Sequence, residues 1–300
     1  MTVSTNPTGM TAPDSDLYPS RVGDRTLLLP RRDPTVYADP AAKPPIPKDQ
    51  VDFYEENGYL FLESFFREQE LTAMRAELQR LREECRGSTR DEVILEPDGD
   101  DVRSIFAVHR DSELYRQYSR HPRLLAIVEH LLGSEVYIHQ SRINFKPGFT
   151  GKDFYWHSDF ETWHVEDGMP RMRALSCSIW LDDNYTYNGP VMVVPGSHKT
   201  YVSCAGETPE ENYKTSLRKQ IYGVPDRESL TSLVDRHGIE TPVGPAGSIL
   251  LFDCNVMHGS NGNMSPKPRS NVFLVYNSVE NRLVEPFSGR KPRPGYIAER

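Results

Sequence analysis

A mainly β fold with flanking α-helices, of the sandwich or jelly-roll kind, is what this sequence predicts. Two observations carry the prediction. The first half holds the amphipathic helical patterns, whereas the half beyond Gly133 is a series of short apolar runs bounded by Gly, Pro, Asn and Asp. No fixed-period repeat is present, so a solenoid or propeller is not indicated. The chain has 300 residues, 37% hydrophobic and 26% charged, enough to bury a substantial core.

Taken in order, residues 1–30 are rich in Pro, Ser, Thr and Asp and read as a flexible N-terminal extension. A single domain is expected over 31–300, entered by an extended arm to about residue 47. Val51, Phe53 and Tyr54 suggest a short helix ended at Gly58, and "YLFLESFF" a strand. Leu71, Met74, Leu78 and Leu81 recur at helical spacing, with Gly87 beyond the end. "HPRLLAIVEHLLG" is a second amphipathic helix stopped at Gly133. "EVYIHQSRINFK" alternates in period two, and "RALSCSIWLDD", "GPVMVVPGSH", "GSILLFD" and "SNVFLVYNSV" read as further strands. "PEENYKTSLRKQ" and "DRESLTSLVDRHG" read as helical insertions between them.

Composition excludes several functions. Net charge is −8, and basic residues such as Arg82, Arg86 and Arg90 are interleaved with acids, so nucleic acid is not an expected partner. No apolar run approaches a membrane span, and the first residues lack a signal-peptide core. A cytoplasmic protein is therefore expected. Cys85, Cys177, Cys204 and Cys254 have no CxxC spacing, fit reduced thiols and argue against a cysteine zinc site.

The densest chemistry lies in "FYWHSDFETWH", residues 154–164. In a strand, His157 and Asp159 would point to one face. His258, 99 positions after Asp159, follows the apolar strand "LLFD" and enters a Gly/Asn-rich turn. Two histidines and a carboxylate can form the facial triad of a non-heme iron site. Equally, His157 can be a core histidine, Asp159 a turn residue and His258 a loop residue. His164 could replace His157 in a different ligand set, while His198 reads as a surface or supporting residue. Zinc also accepts such a set, and for a zinc hydrolase Glu161 would be the nearby base. Arg269, eleven residues past His258, is placed to fork onto a carboxylate.

The segment "HSDFETWHVEDGMPRMRALSCSIWLDDNYTYNGPVMVVPGSHK", residues 157–199, resembles the phytanoyl-CoA dioxygenase superfamily of Fe(II)/2-oxoglutarate oxygenases. The likeness runs from about Pro47 to Val284 and is closest to the branch acting on the small zwitterion ectoine. It implies a double-stranded β-helix (jelly roll, cupin-like) core. It further implies Fe(II) on His157, Asp159 and His258, with 2-oxoglutarate and O2 as cosubstrates. It implies hydroxylation of ectoine to 5-hydroxyectoine in compatible-solute metabolism, and a homodimer. Carried onto this chain, Lys146 and Arg269 would hold 2-oxoglutarate, with Ser178 nearby. Gln140, Asn144, Trp163 and Asn271 would line the substrate pocket, flanked by Phe252 and Phe273. Gln140, Asn144 and Lys146 share strand parity, so all three can face one cavity. For Trp163 and the two phenylalanines, core packing is the competing role. The rival readings are the same oxygenase chemistry on another small molecule and a cupin-like binding protein without turnover.

Overall fold

The computed structural model describes residues 16–96, 99–217 and 220–300. In chain order the first half carries β1 (Leu27–Pro30), α1 (Lys48–Asn57), β2 (Tyr59–Leu62), α2 (Glu68–Glu84), β3 (Val93–Leu95) and β4 (Val102–Phe106). Then come α3 (Val108–Asp111), α4 (Glu113–Ser119), α5 (Pro122–Leu132), β5 (Val136–Lys146), β6 (Phe154–His157) and α6 (Asp159–Thr162), which runs into a π-helical turn, Trp163–Asp167. The rest comprises β7 (Ala174–Trp180), β8 (Val191–Val193), β9 (Thr200–Ser203), α7 (Tyr213–Ser216), α8 (Arg227–His237), β10 (Ile249–Asp253), β11 (His258–Ser260) and β12 (Arg269–Ser278).

Seven strands form one antiparallel sheet in the order β2-β10-β7-β12-β5-β4-β3, and β6-β11-β8 form a second. Period-two alternation gives the large sheet two different faces. Leu175, Cys177 and Ile179 of β7, Ile249 and Leu251 of β10 and Val272, Leu274 and Tyr276 of β12 pack with Leu71, Met74, Leu78 and Leu81 of α2 and Leu124, Ile127, Val128 and Leu131 of α5 in the main core. The opposite face, turned to the small sheet, carries Trp180, Leu250, Phe252 and Phe273 against Val191 and Val193 of β8. Interleaved with these apolar groups are the buried polar residues Ser176, Ser178, Asn144, Lys146, Arg269 and Asn271. Register sets them side by side: Arg269 opposite Lys146, Asn271 opposite Asn144, and Phe273 opposite both Arg142 and Ser178. α5 ends at Gly133 in the left-handed conformation, as expected, whereas α2 is capped by Cys85 in the right-handed region, two residues before Gly87.

Several expectations need correction. Residues 16–30 do not trail freely: β1 pairs with β9, and Tyr18 and Arg21 are buried. The part of the expected extension covering residues 1–15 lies outside the described residues. Among its described residues, the insertion expected over "PEENYKTSLRKQ" contains a single helical turn, α7. Asp159 is not on a strand. β6 stops at His157, Ser158 is the N-cap, and Asp159 opens α6, where an acidic residue suits the positive helix end.

Candidate active site

Two consecutive elements and one far along the chain deliver the metal-type cluster. His157 ends β6, Asp159 begins α6, and His258 begins β11, whose first pair is His258 opposite His157. His157 Nε2 lies 3.6 Å, and His258 Nε2 3.9 Å, from Asp159 Oδ1. All three ligand-type atoms fall within 4.8 Å of one another. The imidazoles are 4.3 Å apart centre to centre, and Phe252 packs 4.8 Å from His258.

The groups behind this cluster fix its state. His157 Nδ1 lies 2.7 Å from Tyr155 O, and His258 Nδ1 3.1 Å from Val256 O. A carbonyl can only accept, so each Nδ1 carries a proton and each Nε2 is the nitrogen turned inward. Ser176 Oγ donates to Asp159 Oδ2 at 3.0 Å, which leaves Oδ1 facing the two histidines. Burial and the neighbouring His157 push His258 down to about 4, favouring the neutral imidazole that a metal requires. Burial opposes ionisation of Asp159, but His258 and His157 hold it well below the usual carboxylate range. Two imidazoles and one carboxylate, each oriented from behind, fit a divalent first-row metal with positions to spare.

The cluster opens onto a cavity of about 730 Å3. Gln140, Arg142, Trp163, Glu166 and Arg293 line it with His157 and Asp159. Trp163 is only 3% exposed and meets His139 ring to ring at 5.3 Å, so its indole is both packed and on the cavity wall. Gln140 Nε2 donates to Ile297 O at 2.9 Å, pinning the C-terminal tail over the same space.

Deeper between the sheets lies a cationic end. Among the described residues, no carboxylate comes within ion-pair distance of Arg103, Arg142, Lys146 or Arg269. Arg142 Nε and Arg269 Nε are buried without any partner. With its oxygen facing the donors, the Asn271 amide accepts from Arg269 Nη1 at 2.7 Å and from Ser178 Oγ at 2.9 Å. Lys146 Nζ donates to Gly189 O, Ser260 Oγ and Asn261 O at 3.2, 2.8 and 2.6 Å. Burial, reinforced by Arg269, pulls this amine down to about 6. Asn144 accepts from Ser104 Oγ at 2.8 Å, and the Arg142 guanidinium lies 5.2 Å over the Phe273 ring. Buried guanidinium groups with bare N–H donors fit an anionic occupant such as a dicarboxylate.

The structure therefore brings His157, Asp159 and His258 together and puts Gln140 and Trp163 on the cavity. It places Asn144, Lys146, Ser178, Phe252, Arg269, Asn271 and Phe273 on the inner faces beyond. His164 is elsewhere: its nitrogens bond Met169 O and Asp16 at 2.8 and 3.0 Å, and its ring stacks on Phe287. His198, read as a surface or supporting residue, is fully buried against Gly58 and bonds Glu55 O. Glu161 is no free base, because Arg21 and Ser20 occupy its carboxylate. Ser176, Arg142, Glu166 and Arg293 are functional candidates that sequence reasoning missed. Strand parity offered Ser176 and Arg142; nothing in the sequence pointed to Arg293.

The profile of the phytanoyl-CoA dioxygenase family matches residues 54–271. A protein of Stutzerimonas stutzeri strain A1501 named ectoine dioxygenase is 52% identical over 286 residues, covering 95% of each chain. The crystal structure of EctD from S. alaskensis with 2-oxoglutarate and 5-hydroxyectoine is 47% identical over 95% of each chain, with TM-score 0.86. The structure of the same protein with bound Fe gives TM-score 0.84 over 94% of each.

Proposed function

The chain belongs to the phytanoyl-CoA dioxygenase family, and from that premise we propose that it is an Fe(II)/2-oxoglutarate-dependent dioxygenase that hydroxylates ectoine to 5-hydroxyectoine. The overall change converts ectoine, 2-oxoglutarate and O2 into 5-hydroxyectoine, succinate and CO2. The observation that carries the reading is the inward convergence of His157 Nε2, His258 Nε2 and Asp159 Oδ1 on a cavity with a cationic rear wall.

These residues would hold Fe(II) by three ligands. The bound metal supplies activation of O2 at the expense of 2-oxoglutarate, after which one oxygen atom enters the substrate. The chain's own residues do the rest. Arg269 and Lys146 receive the carboxylates of 2-oxoglutarate, with Ser178 and Asn271 holding the Arg269 fork. Gln140, Asn144 and Trp163 position ectoine, and Phe252 and Phe273 keep water from the space beside His258.

Residues 31–300 act as one oxygenase domain in this reading, which the hydrogen bond from Ser176 of the large sheet to Asp159, beside the two histidines of the small sheet, supports. The protein works in the cytoplasm as a homodimer. Four unpaired buried thiols favour a reducing compartment, and no helix among the described residues is long and apolar enough to cross a membrane. Light scattering of the purified protein tests the dimer. The activity test combines purified protein, Fe(II), 2-oxoglutarate, O2 and ectoine. The expected result is a product heavier by one oxygen with one succinate per turnover. Succinate without oxidised ectoine would refute the substrate.

A further inference from the structure

The cavity wall that carries Trp163 is acidic and short of cations. Glu166 lies one turn on from Trp163 and lines the same cavity. Its Oε1 accepts from Arg21 Nη1 at 2.6 Å and from Asn212 Nδ2 at 2.7 Å. Among the described residues no donor reaches its Oε2. Arg21 is shared, since Glu161 takes its Nε and Nη2 at 2.9 and 2.6 Å. Beside Glu166, Asp167 is bidentate with Arg293 at 2.7 and 2.6 Å, and His139 Nε2 stands 3.2 Å from it. Two side-chain guanidinium pairings, from Arg21 and Arg293, thus serve three carboxylates that are nearly sealed from solvent, and Arg300 reaches only the backbone oxygen of Asp167, at 3.0 Å. The bare Oε2 of Glu166 is therefore a buried acceptor that a further cation would satisfy. From another wall of the cavity, Arg142 presents a guanidinium whose Nε has no partner. The cavity is therefore polarised across its width, which suits a zwitterion bound in one sense.

We infer that Glu166 Oε2 receives the amidinium N–H of the substrate, while the Trp163 indole covers the ring and Arg21 and Asn212 hold the carboxylate in that aim. The inference rests on the reading of ectoine as substrate and names the group that selects its charge. The site then distinguishes a cationic ring from a neutral cyclic amide of the same size.

Glu166→Gln tests this directly, because a turned amide keeps an oxygen toward Arg21 and Asn212 and removes only the charge. Calorimetry on the Fe(II)- and 2-oxoglutarate-loaded protein without O2 should show ectoine binding weakened about tenfold or more, the worth of one charge-assisted hydrogen bond. Pyroglutamate, a neutral ring bearing a carboxylate, should change less than about threefold on the same scale. Unchanged ectoine affinity, or parallel losses for both ligands, would overturn the inference. A measurement on the parent protein covers the case in which the variant does not fold: acetamidinium should displace ectoine where equimolar acetamide does not. Equal competition by the two would overturn it as well. Ectoine binding that depends on Glu166 but leads to no oxidised product would refute the proposed activity and leave this inference standing.

Discussion

Ser176→Ala removes one oxygen atom and leaves His157, Asp159 and His258, the proposed metal ligands, in place. Its hydroxyl donates to Asp159 Oδ2 at 3.0 Å; Ser176 is buried and Asp159 partly so, which limits screening of the contact by water. A hydrogen bond to a charged acceptor contributes roughly 1.5–3 kcal/mol. Here its role is to stop the carboxylate from turning and to leave Oδ1 directed at the histidines. Loss of that hold should weaken Fe(II) binding about tenfold to hundredfold, the range for partners that orient a metal ligand from behind. The assay is a competition titration of Fe(II) against a chelator under anaerobic conditions, with thermal melts to show an intact fold. Ser176→Thr keeps the hydroxyl and should retain most of the affinity. If Ser176→Ala holds Fe(II) within about twofold of the parent, the hydroxyl is a packing detail and the argument for orientation fails.

His157→Ala, Asp159→Ala and His258→Ala should each abolish turnover and iron binding with the fold retained, whereas His164→Ala should keep its iron; metal analysis of the purified variants decides. Arg269→Ala should raise the 2-oxoglutarate requirement about tenfold to hundredfold and the ectoine requirement far less, as steady-state kinetics will read. Lys146 is expected to bind a proton together with 2-oxoglutarate. Its folded value of about 6 lies below the free-lysine range, so near pH 8 the amine is largely neutral, and a carboxylate beside it raises that value. Calorimetry in buffers of differing ionisation enthalpy should show proton uptake at pH 8 that fades toward pH 5, and Lys146→Met should remove it.

The helices α2 and α5 were legible because one buried stripe on each sets a clear 3.6-residue period. The central strands were legible as runs, but not as faces. In "RALSCSIWLDD" both sides of β7 are buried, so the inward series Ser176, Ser178, Trp180 is masked by the apolar residues between. That is why the partner of Asp159 went unseen while Ser178 entered only by resemblance. The HxD spacing was informative about proximity and misleading about geometry. A strand and a strand-to-helix junction both bring residues two apart to one place, and Ser158 followed by an acid is the local mark of the junction. Glu166 and Arg293 were illegible for a different reason. Their importance comes from charge balance across segments far apart in the chain, and no local pattern records it.

The arm that precedes the first helix has a consequence for how the chain is made. Arg21 and Arg31 leave the ribosome early, but their acidic partners, Glu161, Glu166 and Asp253, and the strand that receives β1, emerge only after 130 or more further residues. Contacts of such sequence separation are slow to form, because a long loop must close before they return any energy. Until the arm docks, Glu161 and Glu166 have no guanidinium, and the turn that bears Trp163 lacks its anchor. The substrate wall should therefore mature last during synthesis, after the sheets have closed around the iron ligands. A nascent enzyme would pass through a state able to take up metal before it can recognise what it oxidises.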